Sequence, residues 1–231
     1  MPNGSKEMKY FFIVVSVCSV LSLVALPAAV EAAEEIAGLG CGRSPNQSLT
    51  NVCQIAAGRW HCLALKKDGS ISAWGDNRYG QCVVPQPNSG FTAVSAGGYH
   101  SLGLKADGSI VAWGWNGYGQ CTVPSPNTGF TAISAGGYHS LGLKTDGSIV
   151  AWGYNKQGQC TVPSPNTGFT SISAGGYHSL GLKTDGSISA WGRNDDSQHT
   201  VPSPNTFFTA IAAGGWNSLG LKADGSISAW I

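Results

Sequence analysis

Short apolar runs bounded by Gly, Pro, Asn and Ser recur along this chain from Val52 onward. Leu141 and Leu143, and likewise Ile149 and Ala151, alternate with polar or small neighbours, the two-residue period of strands that bury one face. Phe130 to Ser134, His139 to Lys144, Ser148 to Trp152 and Cys160 to Val162 are therefore predicted as four short strands. A Lys-x-Asp-Gly-Ser segment joins the middle two, and Asp-Gly is a strong hairpin signal because Gly tolerates positive φ.

This pattern repeats. His61, His100, His139 and His178 fall at steps of 39 residues, and Asn217 takes the next step. Trp74, Trp113, Trp152, Trp191 and Trp230 keep the same interval, as do the Asp-Gly pairs from Asp68 to Asp224. A fixed period near 40 with a Trp-Gly in the copies marks a propeller or solenoid. Four strands in 39 residues suit a propeller blade, so the predicted fold is all-β, a β-propeller of about five four-stranded blades. Full repeats begin near Ala57, Ala96, Ala135 and Ala174, and a fifth runs from Ala213 to Ile231. Residues 34–51 read as the tail of a degenerate half-repeat, and 52–231 as the propeller repeats.

The pattern changes at the N-terminus. Lys6 and Lys9 precede the apolar run Tyr10 to Leu26, then Pro27 and small residues around Val30 and Ala32. This predicts an export signal over 1–33, cut near Ala32 or Ala33, with an uncleaved anchor as the alternative. The expected location is secreted, periplasmic or cell-surface.

Composition narrows the function classes. Of 231 residues 33 are Gly and only 11% are charged, with a net charge of +1. Such a chain has no electrostatic footprint for nucleic acid or for anionic lipid. Glu occurs only at Glu7, Glu31, Glu34 and Glu35, and five of the eight Asp sit in hairpins, which leaves no acid/base pair of the glycosidase kind. His and Ser are sequence neighbours, and adjacent strand residues point to opposite faces, so no nucleophile and base are paired. Asn217 in the histidine register favours a structural role for that position. Cys82, Cys121, Cys160 and His199 also share a register, but neighbouring blades hold such atoms too far apart to share one zinc. No cofactor, metal or catalytic residue is expected. Cys41, Cys53 and Cys62 lie off that register or are unique to the first repeat, and at most one disulfide between two of them, Cys41 with Cys53 first, is expected to staple the N-terminal segment of an exported protein.

The string Ala-Gly-x-x-His-Ser-Leu-x-Leu-x-x-Asp-Gly-x-Ile-x-x-Trp-Gly-x-Asn-x-x-Gly-Gln resembles the repeats of the regulator of chromosome condensation (RCC1) family. The short period and the Gly-Gln-x-x-Val-Pro ending resemble its secreted bacterial branch, which includes the propeller-type β-lactamase inhibitory protein. The resemblance implies a rigid protein-binding disc, usually of seven blades. Two readings stay open: half-repeats that close a five-blade ring into a monomer, or an incomplete part of a seven-blade propeller.

Candidate binding residues come from comparing the copies with one another. They agree at Gly, Trp, Asp-Gly and Pro positions and differ in the loop after Trp-Gly. Asp76, Arg78 and Tyr79 become Trp115 and Tyr118, then Tyr154 and Lys156, then Arg193 and Asp195. Aromatic and Arg residues on the loops of a rigid scaffold suit a protein interface. Trp60, Tyr99, Tyr138, Tyr177 and Trp216, each before the histidine register, form a second ring that either faces a partner or packs between blades. The expected function is a non-enzymatic scaffold or inhibitor that binds a protein partner through loops on one face. The alternatives are a secreted carbohydrate-binding or lytic protein, and a truncated fragment of a larger surface protein.

Overall fold

The computed structural model describes residues 49–231. The expected signal over 1–33 lies outside the described residues, as does most of the half-repeat over 34–51. The rest is five three-stranded antiparallel sheets, here called blades. Blade 1 holds β1 (Val52–Ala57), β2 (His61–Lys66) and β3 (Ile71–Gly75); blade 2 holds β4 (Phe91–Ala96), β5 (His100–Lys105) and β6 (Ile110–Gly114). Blade 3 holds β7 (Phe130–Ala135), β8 (His139–Lys144) and β9 (Ile149–Gly153); blade 4 holds β10 (Phe169–Ala174), β11 (His178–Lys183) and β12 (Ile188–Gly192). Blade 5 holds β13 (Phe208–Ala213), β14 (Ser218–Lys222) and β15 (Ile227–Trp230). The hairpins form as expected: Asp146 accepts from the Ser148 N–H at 2.9 Å, and Gly147 sits at φ +76°.

The fourth strand expected at Cys160 to Val162 is absent, and the blades have three strands. Pro163 and Pro165 remove two ladder donors, and the segment winds through turns instead. A side chain takes over the missing strand's hydrogen bonds. Asn166 Oδ1 accepts from the Ile149 N–H at 2.8 Å, and its Nδ2 donates to the Ile149 carbonyl at 2.8 Å. Asn88, Asn127 and Asn205 clamp Ile71, Ile110 and Ile188 in the same way.

Each first strand carries a bulge, as between Phe130 and Ala132. There the Thr131 hydroxyl donates to the Leu143 carbonyl at 3.2 Å. In blade 1 the thiol of Cys53 makes this contact, to the Leu65 carbonyl at 3.5 Å. Cys53 is therefore free, and the expected Cys41–Cys53 disulfide is not formed. Cys62 is the described cysteine that is disulfide-bonded, and no disulfide joins two described residues. Blade 1 departs in a second, matched pair. Elsewhere a Phe ring such as Phe130 presses on a Gly such as Gly142, where an added Cβ would lie 2.6 Å from the ring. Blade 1 has Val52 and Ala64 at these positions, the smaller residue leaving room for the larger.

Hydrophobic cores form between blades. Leu102, Leu104 and Ile110 of blade 2 pack on Phe130, Ile133, Ala135 and Trp152 of blade 3, and the same grouping recurs at the other three junctions, with Val94 at the first isoleucine position. Polar ties cross each junction too: the Trp152 indole donates to the Gln120 carbonyl at 2.8 Å, and the Ala174 N–H donates to Ser134 Oγ at 3.0 Å. The first strands pack successively around a common axis. Blades 5 and 1 share no such core. Leu219, Leu221 and Ile227 are 38%, 39% and 70% exposed, whereas Leu180, Leu182 and Ile188 are at most 5% exposed. On blade 1, Ile55 is exposed and the buried Trp74 Nε1 has no hydrogen-bond partner. The five described blades thus form an open arc.

Candidate functional site

Two loops of each of blades 1 to 4, and one of blade 5, reach the end of the arc opposite the Asp-Gly hairpins. One joins the first and second strands and carries the aromatic residue before the histidine register; the other follows the third strand. Backbone hydrogen bonds zip them together: Asp76 N–H to the Trp60 carbonyl, Trp115 to Tyr99, Tyr154 to Tyr138 and Arg193 to Tyr177, all at 2.8–3.0 Å. A buried glutamine sets the second loop from beneath. Gln120 Oε1 accepts from the Tyr118 N–H at 3.0 Å while its carbonyl holds Ser140 and Trp152 of the next blade. The glutamines at this register were not recognised as anchors in the sequence, although their invariance across four copies was the available signal.

This zippering brings every expected aromatic onto one face. The rings of Tyr99, Tyr138, Tyr177 and Trp216 succeed one another with centroids 5.6–6.4 Å apart, and the Trp60 indole donates to the Tyr99 hydroxyl at 3.0 Å. Trp115, Tyr118 and Tyr154 wedge between them from the outer loops, with Trp115 and Tyr118 edge to face at 5.0 Å. Tyr79 closes the row against Tyr99 at 5.5 Å. The inner ring thus lies at this end of the arc with its members in contact from blade to blade. Trp60, Tyr79, Tyr118 and Trp216 are exposed, and seven rings enclose a pit of about 300 Å³.

The charged candidates sit around this floor. Arg78 pairs with Asp76 at 2.9 Å, and this hydrogen bond holds the Asp76 carboxyl below its ordinary range. Arg193 pairs with Asp195 at 2.8 Å and lies over the Trp216 ring at 4.5 Å; Lys156 is exposed. At the rims, aromatic faces already carry the chain's own guanidinium groups, since Arg59 lies 5.4 Å from the Trp60 centroid.

Beneath the face, the histidines form ties between blades. His61, His100, His139 and His178 Nε2 meet Ser101, Ser140, Ser179 and Ser218 Oγ at 2.8–3.0 Å. Each serine in turn donates to a glutamine carbonyl at 2.9–3.0 Å. Because that hydroxyl proton is committed, histidine is the donor through Nε2, which leaves Nδ1 without a proton. Burial pushes the histidines down to about 4, 3, 3 and 4 in chain order, so all four are neutral at pH 7. Fully enclosed and neutral, they hold blades together.

The register cysteines are likewise local. Cys82, Cys121 and Cys160 Sγ each lie 3.3 Å from a carbonyl of their own loop, and burial pushes the thiols up to about 11, 12 and 12. At pH 8 a thiol reagent is therefore expected to modify exposed Cys53 rapidly and Cys121 and Cys160 at least tenfold more slowly, read by mass spectrometry of the folded protein. Equal rates would contradict this burial.

Four stretches, 52–81, 91–120, 130–159 and 169–198, match the "Regulator of chromosome condensation (RCC1) repeat", together just over half of the chain. The chain belongs to the RCC1 repeat family. Among curated proteins it is similar to the probable E3 ubiquitin-protein ligase HERC3 of Homo sapiens, 50% identical over 30 residues, which is 13% of this chain and 3% of the ligase. Among solved structures it is similar to the ectodomain of the Physcomitrella patens receptor kinase CR4, at TM-score 0.71 and 26% identity over 82% of this chain and 55% of that one. Prp20p of Saccharomyces cerevisiae matches at TM-score 0.53 and 18% identity, over 78% of this chain and 71% of that one. The chain thus spans about half the length of the moss ectodomain and a small fraction of the ligase. These relatives come from human, moss and yeast.

Proposed function

We propose that this RCC1-type chain is an exported, non-enzymatic scaffold that binds a protein partner on its aromatic face, as an inhibitor or a surface recognition module. The observation that carries the reading is the unbroken row of rings from five blades at one end of the arc, against hairpins of Asp, Gly and Ser at the other. Large, stiff, partly exposed aromatic side chains on a rigid support lose little entropy on binding and serve as interface anchors. The buried neutral histidines beneath them suit support rather than proton transfer. Yeast Prp20p, which shares the fold, is described with binding properties to Gsp1p and histones.

The test is capture of surface and secreted proteins on the immobilised full chain, followed by affinity measurement with the captured partner. Trp115→Ala and Tyr118→Ala are expected to weaken binding at least tenfold, about 1.4 kcal/mol or more each, while Asp146→Ala at the opposite end changes nothing. Unchanged affinity in both aromatic variants, or a glycan as the captured ligand, overturns the reading.

A further inference from the structure

Two sets of rings stand at the aromatic face in different orientations. Along the inner row, Tyr99, Tyr138, Tyr177 and Trp216 turn by only 32–38° from one ring plane to the next. The outer rings cross that row steeply: Trp115 stands at 74° and Tyr118 at 83° to Tyr138, and Tyr154 at 70° to Tyr177. Backbone ties fix the crossing, with Trp115 N–H on the Tyr99 carbonyl and Tyr154 N–H on the Tyr138 carbonyl. Buried Gln120 and Gln159 hold the same loops through the Tyr118 and Gln157 N–H groups at 3.0 Å.

The pit of about 300 Å³ between the two sets is therefore walled from two directions, by ring faces as well as edges. Its lining is six phenols and one indole, with no charged side chain among them. Burial first, then Tyr138 and Tyr154, pushes the Tyr177 phenol above its ordinary value, so this ring too is uncharged at pH 7. The face of an aromatic ring is the negative side of its quadrupole, and several faces turned on one space attract a cation that has shed part of its water. The chain already uses this contact. Lys105, Lys144, Lys183 and Lys222 lie 3.8–5.3 Å over the rings of Phe91, Phe130, Phe169 and Phe208, and Arg193 lies 4.5 Å over Trp216. On the outer loops Asp76, Asp195 and Asp196 stand against Arg78, Lys156 and Arg193, three charges of each sign, so the rings decide the sign of the occupant.

We infer that the pit takes a cationic side chain, a lysine ammonium or arginine guanidinium, of the protein bound on the aromatic face; this rests on the binding role proposed for that face. The space equals roughly ten waters at about 30 Å³ each, enough for the charged head and the end of its stem. Phenol oxygens accept hydrogen bonds from the head, and the rings cover the apolar stem. A neutral aliphatic side chain gains the burial without the attraction of charge to ring.

The experiment follows the Trp115 indole of the full chain by NMR. Choline is titrated against its neutral carbon isostere 3,3-dimethylbutan-1-ol, and N-acetylated tetralysine against tetraglutamate and tetraserine. Choline is expected to shift the Trp115 signal saturably, about fivefold or more tightly than the isostere. Tetralysine is expected to bind at least as tightly as choline, with no saturable shift from the other two peptides. Multiple fluorination of the Trp115 indole keeps its shape while draining charge from the ring face. It is expected to weaken tetralysine by about fivefold or more and to leave the isostere unchanged. Equal binding of choline and isostere, unchanged tetralysine affinity after fluorination, or preference for tetraglutamate overturns the proposal. Choline bound much more tightly than tetralysine overturns the protein source of the cation. In the capture assay, a partner lost with Tyr118→Ala but bound unchanged by the fluorinated chain sinks the cationic side chain while sparing the aromatic face. A partner retained by Tyr118→Ala while tetralysine still binds the pit removes the face from the proposed function, and the protein source with it.

Discussion

Lowering the pH from 7 to 5 is expected to bring the folded protein close to unfolding. His61, His100, His139 and His178 are buried and neutral, with pKa values driven by desolvation to about 4, 3, 3 and 4 from an ordinary 6.5. Asp76 acts on His61 in the opposite sense, while His61 further depresses His100, and His100 and His178 further depress His139. A depressed folded value means that the unfolded chain binds the proton first. The stabilisation is complete above about pH 6.5 and declines as pH falls toward the folded values. At pH 5 each histidine forfeits up to about 2 kcal/mol, and four forfeit up to about 8 kcal/mol, comparable with the whole stability of an ordinary domain. The hairpin carboxyls add to the trend only at lower pH, because serine hydrogen bonds hold them below their ordinary range. Thermal melts at pH 7, 6 and 5 check this. His139→Asn, which copies the residue of blade 5, is expected to flatten the pH dependence by about a quarter at some cost in stability at pH 7. An unchanged melting temperature from pH 7 to pH 5 would contradict the assignment of buried neutral histidines.

The second large effect lies at the axis. Gly136→Ala puts a methyl group 2.4 Å from His139 Cε1 and 2.6 Å from the Gly175 carbonyl oxygen. Neither neighbour yields easily, since the ring is tied to Ser179 and the carbonyl accepts from the Gly137 N–H. Overpacking against a fixed core costs about 3 kcal/mol, which lowers the melting temperature by about 10 °C in a chain of this size. Gly158→Ala is the control. It has positive φ but no heavy atom within 4 Å of the new methyl, so only backbone strain of about 1 kcal/mol is expected. If the two variants melt together, the blades do not approach at Gly136 as closely as these distances require.

These effects show what the sequence made legible. The 39-residue step, the hairpins and the location of the variable aromatics were readable, because Asp-Gly, Trp-Gly and alternating Leu encode local geometry in each copy. The fourth strand was misread because Cys160 to Val162 has strand-like residues, while the features that decide against it, Pro163, Pro165 and the Asn166 clamp, act just downstream. The role of Cys53 was hidden because a thiol there does the work of a threonine hydroxyl on a bulge. The Gly-Gly pairs such as Gly136-Gly137 were opaque for a different reason: they look like a flexible turn, and only the close approach of the next blade shows that glycine there is a steric demand. The open flank of blade 5 was legible in part. Ala212 and Asn217 replace the serine and histidine that tie blades 2, 3 and 4 forward, whereas the exposure of Leu219 and Ile227 follows only from the packing of whole blades.

The most direct test of the binding face is to place a photo-crosslinking residue at Tyr118 in one variant and at Ser148, in a hairpin at the opposite end, in another, and to irradiate each with the captured partner. The account predicts crosslinks from position 118 and none from 148. Crosslinks from 148 alone would place the partner on the wrong end of the arc and remove the aromatic face from the function.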